Sequence, residues 1–299
     1  MILDGSTYQT ELGLHDTRVR KPVNIASVPH RSPFRYPGGK TWLVPEVRNW
    51  LRSLSEKPKL LVEPFAGGGI VSLTAAFDGL AEKVLLVELD DEVASVWRTI
   101  LGGGAEWLAQ RIEKFQMSLE SARKVVSAAP TSTDEMAFRT IVRNRTLHGG
   151  ILAPGSSFVK QGENGKGILS RWYPTTIARR IRDIDTIKDR IAFVHGNAFE
   201  TIETYGRDKS VAWFVDPPYT AGGKRAGSRL YTHSQIDHEL IFSRLRDVEG
   251  DFLMTYDNAA EVKALAEKHG FQSNLIPMKN THHANMMELL IGRDLSWLC

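Results

Sequence analysis

A short apolar run that ends in glycines and passes directly into a helix constrains this chain more than any other feature. Leu61-Val62-Glu63-Pro64-Phe65-Ala66-Gly67-Gly68-Gly69 closes a strand reading over Lys59 to Val62 and opens a helix reading over Ile70 to Phe77, which Gly79 stops. A second apolar run, Lys83 to Leu89, follows. Strand, tight turn, helix and strand in succession form a β-α-β unit, and continuous apolar runs are the signature of strands buried on both faces. Further strand signals stand at Ile191 to Val194, Val211 to Val215, Phe252 to Tyr256, Asn274 to Pro277 and Met287 to Ile291. Helical patterns fill most of the intervals: Thr41 to Leu51, Asp91 to Leu101, Glu106 to Ser127, Thr133 to Leu147, a helix opened by Pro174, Ser234 to Val248 and Ala259 to Lys268. Alternation of this kind predicts an α/β protein with a doubly wound sheet.

Composition narrows the class. With 42% apolar and 24% charged residues over 299 positions the chain has enough apolar side chains for a full core, which excludes disorder. The single cysteine is Cys299, so one chain can build neither a disulfide framework nor a cysteine zinc site. No run approaches the roughly 20 apolar residues of a membrane helix, and residues 1–30 lack a signal-peptide core, so a cytoplasmic protein is expected. Residues 1–30 read as an extension, 31–105 and 188–299 as the core, and 106–187 as an insert. Within the insert, mixed runs flank Gly162-Glu163-Asn164-Gly165-Lys166-Gly167 and predict a hairpin.

Charge is concentrated in that insert. From Arg139 to Arg182 there are nine basic residues against one acid, Glu163; this stretch carries +8, so with +3 overall the rest carries −5. A basic block in an otherwise acidic chain points to a polyanion such as nucleic acid.

Three motifs carry chemistry. The glycines at 67–69 let backbone approach a ligand beyond the carboxyl end of a strand, and nineteen residues after Gly69 stands Glu88, an acid placed to accept hydrogen bonds from a ribose. Ser72 occupies the position where a dinucleotide fingerprint has its third glycine, which disfavours a nicotinamide oxidoreductase. Asp216-Pro217-Pro218-Tyr219 follows the strand Val211 to Val215. The prolines fix two φ angles and remove two donors, leaving the Asp216 carboxylate and the Pro217 carbonyl as an acceptor pair for both hydrogens of an exocyclic amine. Drawing on those hydrogens localises the amine lone pair and stabilises the cationic nitrogen of the transition state, while Tyr219 supplies a stacking face. The third motif, Phe34-Arg35-Tyr36-Pro37-Gly38-Gly39-Lys40, is a glycine turn opening a helix, where a carboxylate can bind.

In content and order these motifs resemble the Dam-like adenine-specific DNA methyltransferases of the D12 class, over about Ser32 to Arg293. Asn144-Arg145 with Gly149 resembles the family's segment ahead of the DNA-contacting hairpin, and Met287 to Ile291 its final strand. The resemblance implies a Rossmann-like methyltransferase sheet carrying a target-recognition insert, S-adenosylmethionine as cofactor and no metal. Tyr36, Pro37, Gly38, Gly39 and Lys40 would face the methionine part of the cofactor. Glu63, Pro64, Phe65, Ala66, Gly67 and Gly69 would wrap the adenosine turn, with Glu88 and Leu89 at the ribose. Asn197, Ala198 and Phe199 would lie at the cofactor adenine, where the family often has an acid instead of Asn197. Asp216, which also borders the cofactor, Pro217, Pro218 and Tyr219 would take the target adenine. Arg143, Asn144, Arg145, Lys160, Lys166 and Arg171 would contact DNA.

The expected reaction is methyl transfer to N6 of an adenine flipped out of double-stranded DNA, by a monomer or weak dimer, with a cognate restriction endonuclease as a possible partner. The residues leave open the same transfer to cytosine N4 or to RNA, and a non-catalytic DNA-binding regulator on the same fold. His282-His283 lacks a third ligand at metal spacing and reads as surface.

Overall fold

A computed structural model describes residues 23–35, 39–218, 236–279 and 285–298. Seven strands form one sheet: β1 Leu60–Glu63, β2 Lys83–Glu88, β3 Ile191–His195, β4 Val211–Val215, β5 Phe252–Asp257, β6 Gln272–Lys279 and β7 Asn285–Gly292. Their order is β3-β2-β1-β4-β5-β7-β6; β1 to β5 run parallel, and β7 pairs antiparallel with both β5 and β6. All seven stand where the apolar runs predicted them, and the doubly wound α/β reading holds.

The helices are α1 Val44–Ser53, α2 Ile70–Asp78, α3 Asp91–Thr99, α4 Ala105–Lys114, α5 Leu119–Ser127, α6 Thr133–Thr146, α7 Pro174–Asp185, α8 Ala198–Tyr205, α9 His238–Asp247 and α10 Ala260–Lys268. None of the described helices is long and apolar enough to cross a membrane. Side-chain parity along the strands divides the core into two layers. Leu61, Val84, Leu86, Ala212 and Phe214 pack with α1 to α4 on one face; Val62, Leu85, Val87, Trp213 and Val215 pack with α8, α9 and α10 on the other. On the first face α3 lies against α6 and α4 against α7, so the segment between β2 and β3 is anchored to the core by helix packing.

The structure corrects two local expectations in that segment. Glu106 to Ser127 is two helices, because the Ser118 hydroxyl accepts the Ser121 amide and starts α5 anew. Phe115 at the break turns in against Phe138 and Trp172, with ring centroids 5.2 and 5.8 Å apart. No hairpin forms about Gly162 to Gly167. Pairing occurs one loop earlier, as a single bridge between Leu147 and Phe158. The glycine run instead closes on itself: Gly167 donates to the Gln161 carbonyl at 2.7 Å, Gly162 has φ +61°, and a Cβ there would lie 2.3 Å from the Gly167 carbonyl. Residues 28–35 are also built into the body. Val28 and Phe34 are buried, and Arg31 reaches Asp78 at 3.0 Å.

Strand order reverses between β1 and β4, which leaves a crevice at their carboxyl ends. Gly69 opens α2 there in the left-handed region, φ +61°, and a Cβ would meet Leu86 at 3.0 Å and Trp97 at 3.1 Å. Gly69→Ala is expected to cost about 1–3 kcal/mol in urea unfolding, because the added methyl is both strained and crowded; an unchanged midpoint would contradict this account of the turn.

Candidate functional site

A cavity of about 610 Å³ occupies the crevice, lined by residues from the ends of β1, β2, β3 and β4 and from the insert. The turn after β1 is held by its own backbone. Ala66 donates to the Val87 carbonyl at 3.0 Å, Gly69 to the Ala66 carbonyl at 2.6 Å, and the Trp97 indole to the Gly67 carbonyl at 3.0 Å. Glu88 ends β2 and accepts the Gly67 amide on Oε2 at 2.8 Å and those of Leu89 and Asp90 on Oε1 at 2.8 and 2.9 Å. It therefore fastens the glycine turn to β2 while lining the cavity, and burial pushes its carboxyl up against those bonds. Asn197 caps α8 by accepting the Phe199 amide at 2.9 Å, which leaves its NH2 as the remaining donor on the cavity wall with Ala198 and Phe199.

Asp216 follows β4 and is held on both oxygens. Thr255 on β5 donates its hydroxyl to Oδ1 at 2.7 Å, and the Lys40 ammonium stands 2.8 Å from Oδ2. Lys40 is only 2% exposed, and Glu288 on β7 approaches it at 3.8 Å. Glu63, at the end of β1, is buried with Oε2 accepting the Ser72 amide at 2.9 Å. Burial pushes the Glu63 carboxyl up to about 8, with Ser72 opposing, and Glu288 up to about 7, with Lys40 opposing. Beside them burial raises the Tyr256 phenol and lowers the His238 imidazole, whose Nδ1 lies 2.9 Å from the Tyr256 hydroxyl, a neutral pair.

Of the residues singled out by sequence, Lys40, Glu63 to Ala66, Gly69, Glu88, Leu89, Asn197 to Phe199, Asp216 and Pro218 converge on the cavity, with Gly39 at its rim. Tyr36, Pro37, Gly38, Tyr219 and the pair His282-His283 lie outside the described residues. The basic residues separate. Arg143 pairs with Glu92 and donates to the Leu152 carbonyl at 2.8 Å. Asn144 accepts the Arg35 amide at 2.8 Å and donates to the Arg35 and Gly150 carbonyls, both at 2.9 Å. Arg143 thus ties the insert to α3 and Asn144 ties it to the segment before Lys40, so base contacts would require exchanging those bonds. Arg145 and Arg171 line the cavity, whereas Lys160 and Lys166 are exposed beside a separate hollow with Arg123. Sequence reasoning missed Thr255, Glu288, His30 and Arg180. Glu288 left the one usable signal, an acid inside an apolar strand.

A family model for D12 class N6 adenine-specific DNA methyltransferases matches residues 36–281. The chain belongs to this family. Its members use S-adenosylmethionine, so this D12-class chain is an enzyme of that cofactor. The residues present fit that cation: the cavity is faced by the acids Glu88, Asp90 and Asp216, with the buried Glu63 carboxyl beside them. No curated protein matches the chain. Among solved structures it is similar to an rRNA methylase from Streptococcus thermophilus, at 12% identity over 83% of this chain and 94% of that one with a TM-score of 0.34. It is also similar to a methyltransferase from Geobacter sulfurreducens, at 12% identity over 84% and 76% with a TM-score of 0.36.

Glu63 and Glu288 keep protons in the folded state over a range in which the unfolded chain, near 4.5, has lost them. Stability therefore falls as pH rises, from about 4.5 to about 7 through Glu288 and from about 4.5 to about 8 through Glu63, by up to about 1.4 kcal/mol per pH unit for each group within its window. Glu63→Gln is expected to flatten this dependence in urea unfolding at pH 6 and pH 8.5; an unchanged slope would contradict the buried neutral carboxyl.

Proposed function

We propose that this chain transfers a methyl group from S-adenosylmethionine to N6 of an adenine turned out of double-stranded DNA into the cavity at Asp216. The observation that carries the reading is the setting of Asp216: at the end of β4, facing the cofactor-sized cavity, with Thr255 and Lys40 fixing its two oxygens. A carboxylate oxygen can accept from more than one donor. Prolines at 217 and 218 offer no amide to compete for the carboxylate, and the Pro217 carbonyl supplies a second acceptor.

The cofactor brings an electrophilic methyl group on a sulfonium. Asp216 and the Pro217 carbonyl accept the two amine hydrogens, and the carboxylate charge stabilises the nitrogen as it becomes cationic; the sulfonium–methyl bond would break to leave a neutral thioether, and one of the two amine hydrogens then leaves as a proton by way of Asp216. Thr255 and Lys40 hold the acceptor in place, so little rearrangement is needed at the moment of transfer. Lys40 is spoken for by two carboxylates, so its role is to orient Asp216 from beneath the site. Tyr219 stacks on the flipped base, which offsets part of the few kcal/mol needed to unstack it. The stretch 106–187 serves as the recognition part, with Lys160 and Lys166 on DNA phosphates.

The test is incubation of the protein with S-adenosylmethionine and unmethylated duplex DNA, digestion to nucleosides and mass spectrometry. N6-methyladenine is expected; N4-methylcytosine, or transfer only to RNA, would overturn the substrate assignment. Asp216→Ala is expected to lower transfer at least about a hundredfold while cofactor affinity holds within a few-fold. Near-normal turnover in that variant would contradict the assigned role.

A further inference from the structure

Lys40 and Tyr173 aside, the ionisable groups facing the cavity fall into two sets. Four acids stand at the strand ends. A second set is wholly basic and comes from the segment before Lys40 and from the insert: His30, Arg35, Arg145, Arg171 and Arg180. At its centre is Arg145, 7% exposed near the end of α6. It donates Nη2 to the Pro33 carbonyl, while its buried Nε has no hydrogen-bond partner among the described residues. Burial, and after it the charges of Arg180, Arg35 and Arg171, push the guanidinium down to about 9. Arg180 on α7 donates to the Ser32 carbonyl at 3.1 Å, one residue from Arg145's own acceptor. His30 lies in the field of both and is lowered by burial and by their charge.

A guanidinium buried among cations is costly unless an anion joins it. The cofactor is a poor candidate for that anion. Its amino-acid end carries an ammonium beside the carboxylate, and with the sulfonium the whole molecule is a cation that the ionised acids at the strand ends attract and the basic set repels. A phosphodiester brings negative charge alone, and its paired oxygens suit guanidinium donors. We infer that Arg145, Arg180 and His30 form a subsite for one backbone phosphodiester of the DNA strand, adjoining the nucleotide whose base reaches Asp216. This rests on the proposed function, since the subsite and Asp216 line one cavity. A phosphate held there fixes the strand relative to the acceptor, so the insert contributes to placing the target base as well as to affinity.

The experiment uses the full chain and a fluorescein-labelled duplex carrying the methylated sequence, followed by anisotropy at several salt concentrations, with cofactor affinity measured by calorimetry in parallel. Arg180→Ala is expected to weaken DNA binding about tenfold and to lower the slope of log affinity against log salt by about one, with cofactor affinity unchanged. Replacing single phosphates flanking the target by neutral methylphosphonates should reveal one position that weakens binding to the wild type and has no further effect on Arg180→Ala. Arg145→Lys keeps the charge but loses the forked donors, and is expected to weaken binding at that same position. If Arg180→Ala proves misfolded by circular dichroism, the exposed His30→Gln takes its place, read by DNA affinity and the methylphosphonate position, since a neutral imidazole adds nothing to the salt slope. Weakened cofactor binding with an unchanged salt slope would assign the basic set to the cofactor carboxylate and overturn the subsite. Unchanged affinity for both ligands would make it a structural cluster and overturn it equally. Absence of salt-dependent DNA binding by the wild type would instead overturn the proposed function, and the subsite with it.

Discussion

The buried ammonium of Lys40 is the contact on which the site depends. A lysine that is 2% exposed is stable only beside negative charge, and this one has Asp216 at 2.8 Å and Glu288 at 3.8 Å. Those partners come from the loop after β4 and from β7, while Lys40 follows the chain's N-terminal segment. Three distant pieces of sequence are thereby tied at one point beneath the cavity. Thr255 on β5 completes the arrangement by holding the other oxygen of Asp216. The tie orients the acceptor and couples its position to the packing of the sheet.

The doubly wound sheet supplies the rest. Reversal of strand order between β1 and β4 opens a crevice, and the acids that end β1 and β2 and follow β4 face into it. Glu88 spends its lone pairs on three amides, which makes the glycine turn rigid before any ligand arrives. The insert brings arginines to the same cavity through α6 and α7. Acid from the sheet and base from the insert thus meet in one space, an arrangement matched to a cationic cofactor and an anionic polymer.

The central strands β1, β2, β4 and β5 were legible because strands buried on both faces read as unbroken apolar runs, and the Asp216 tetrapeptide because its prolines and position after β4 are local. What was not legible depends on contacts between distant positions. Thr255 is one ordinary threonine in an apolar strand, and only the β4–β5 pairing brings it to Asp216, 39 residues away in sequence. Glu288 gained its meaning from the register of β7 against β5, which sets it opposite Asp257. The glycine run at 162–167 resembled a hairpin turn, yet its left-handed residues fold the loop onto itself. Arg143 and Asn144 looked like DNA contacts by charge and motif, while Glu92 and the Arg35 backbone, far off in sequence, claim them.

Thr255→Val tests the central claim most directly. It removes one donor to Asp216, leaves the cavity-facing groups in place and nearly preserves shape. In single-turnover methyl transfer with saturating cofactor, the rate constant is expected to fall about ten- to a hundredfold, the value of one hydrogen bond to a charged group, with cofactor affinity unaltered. A rate constant equal to that of the wild type would show that Asp216 does not depend on the buried network that holds it.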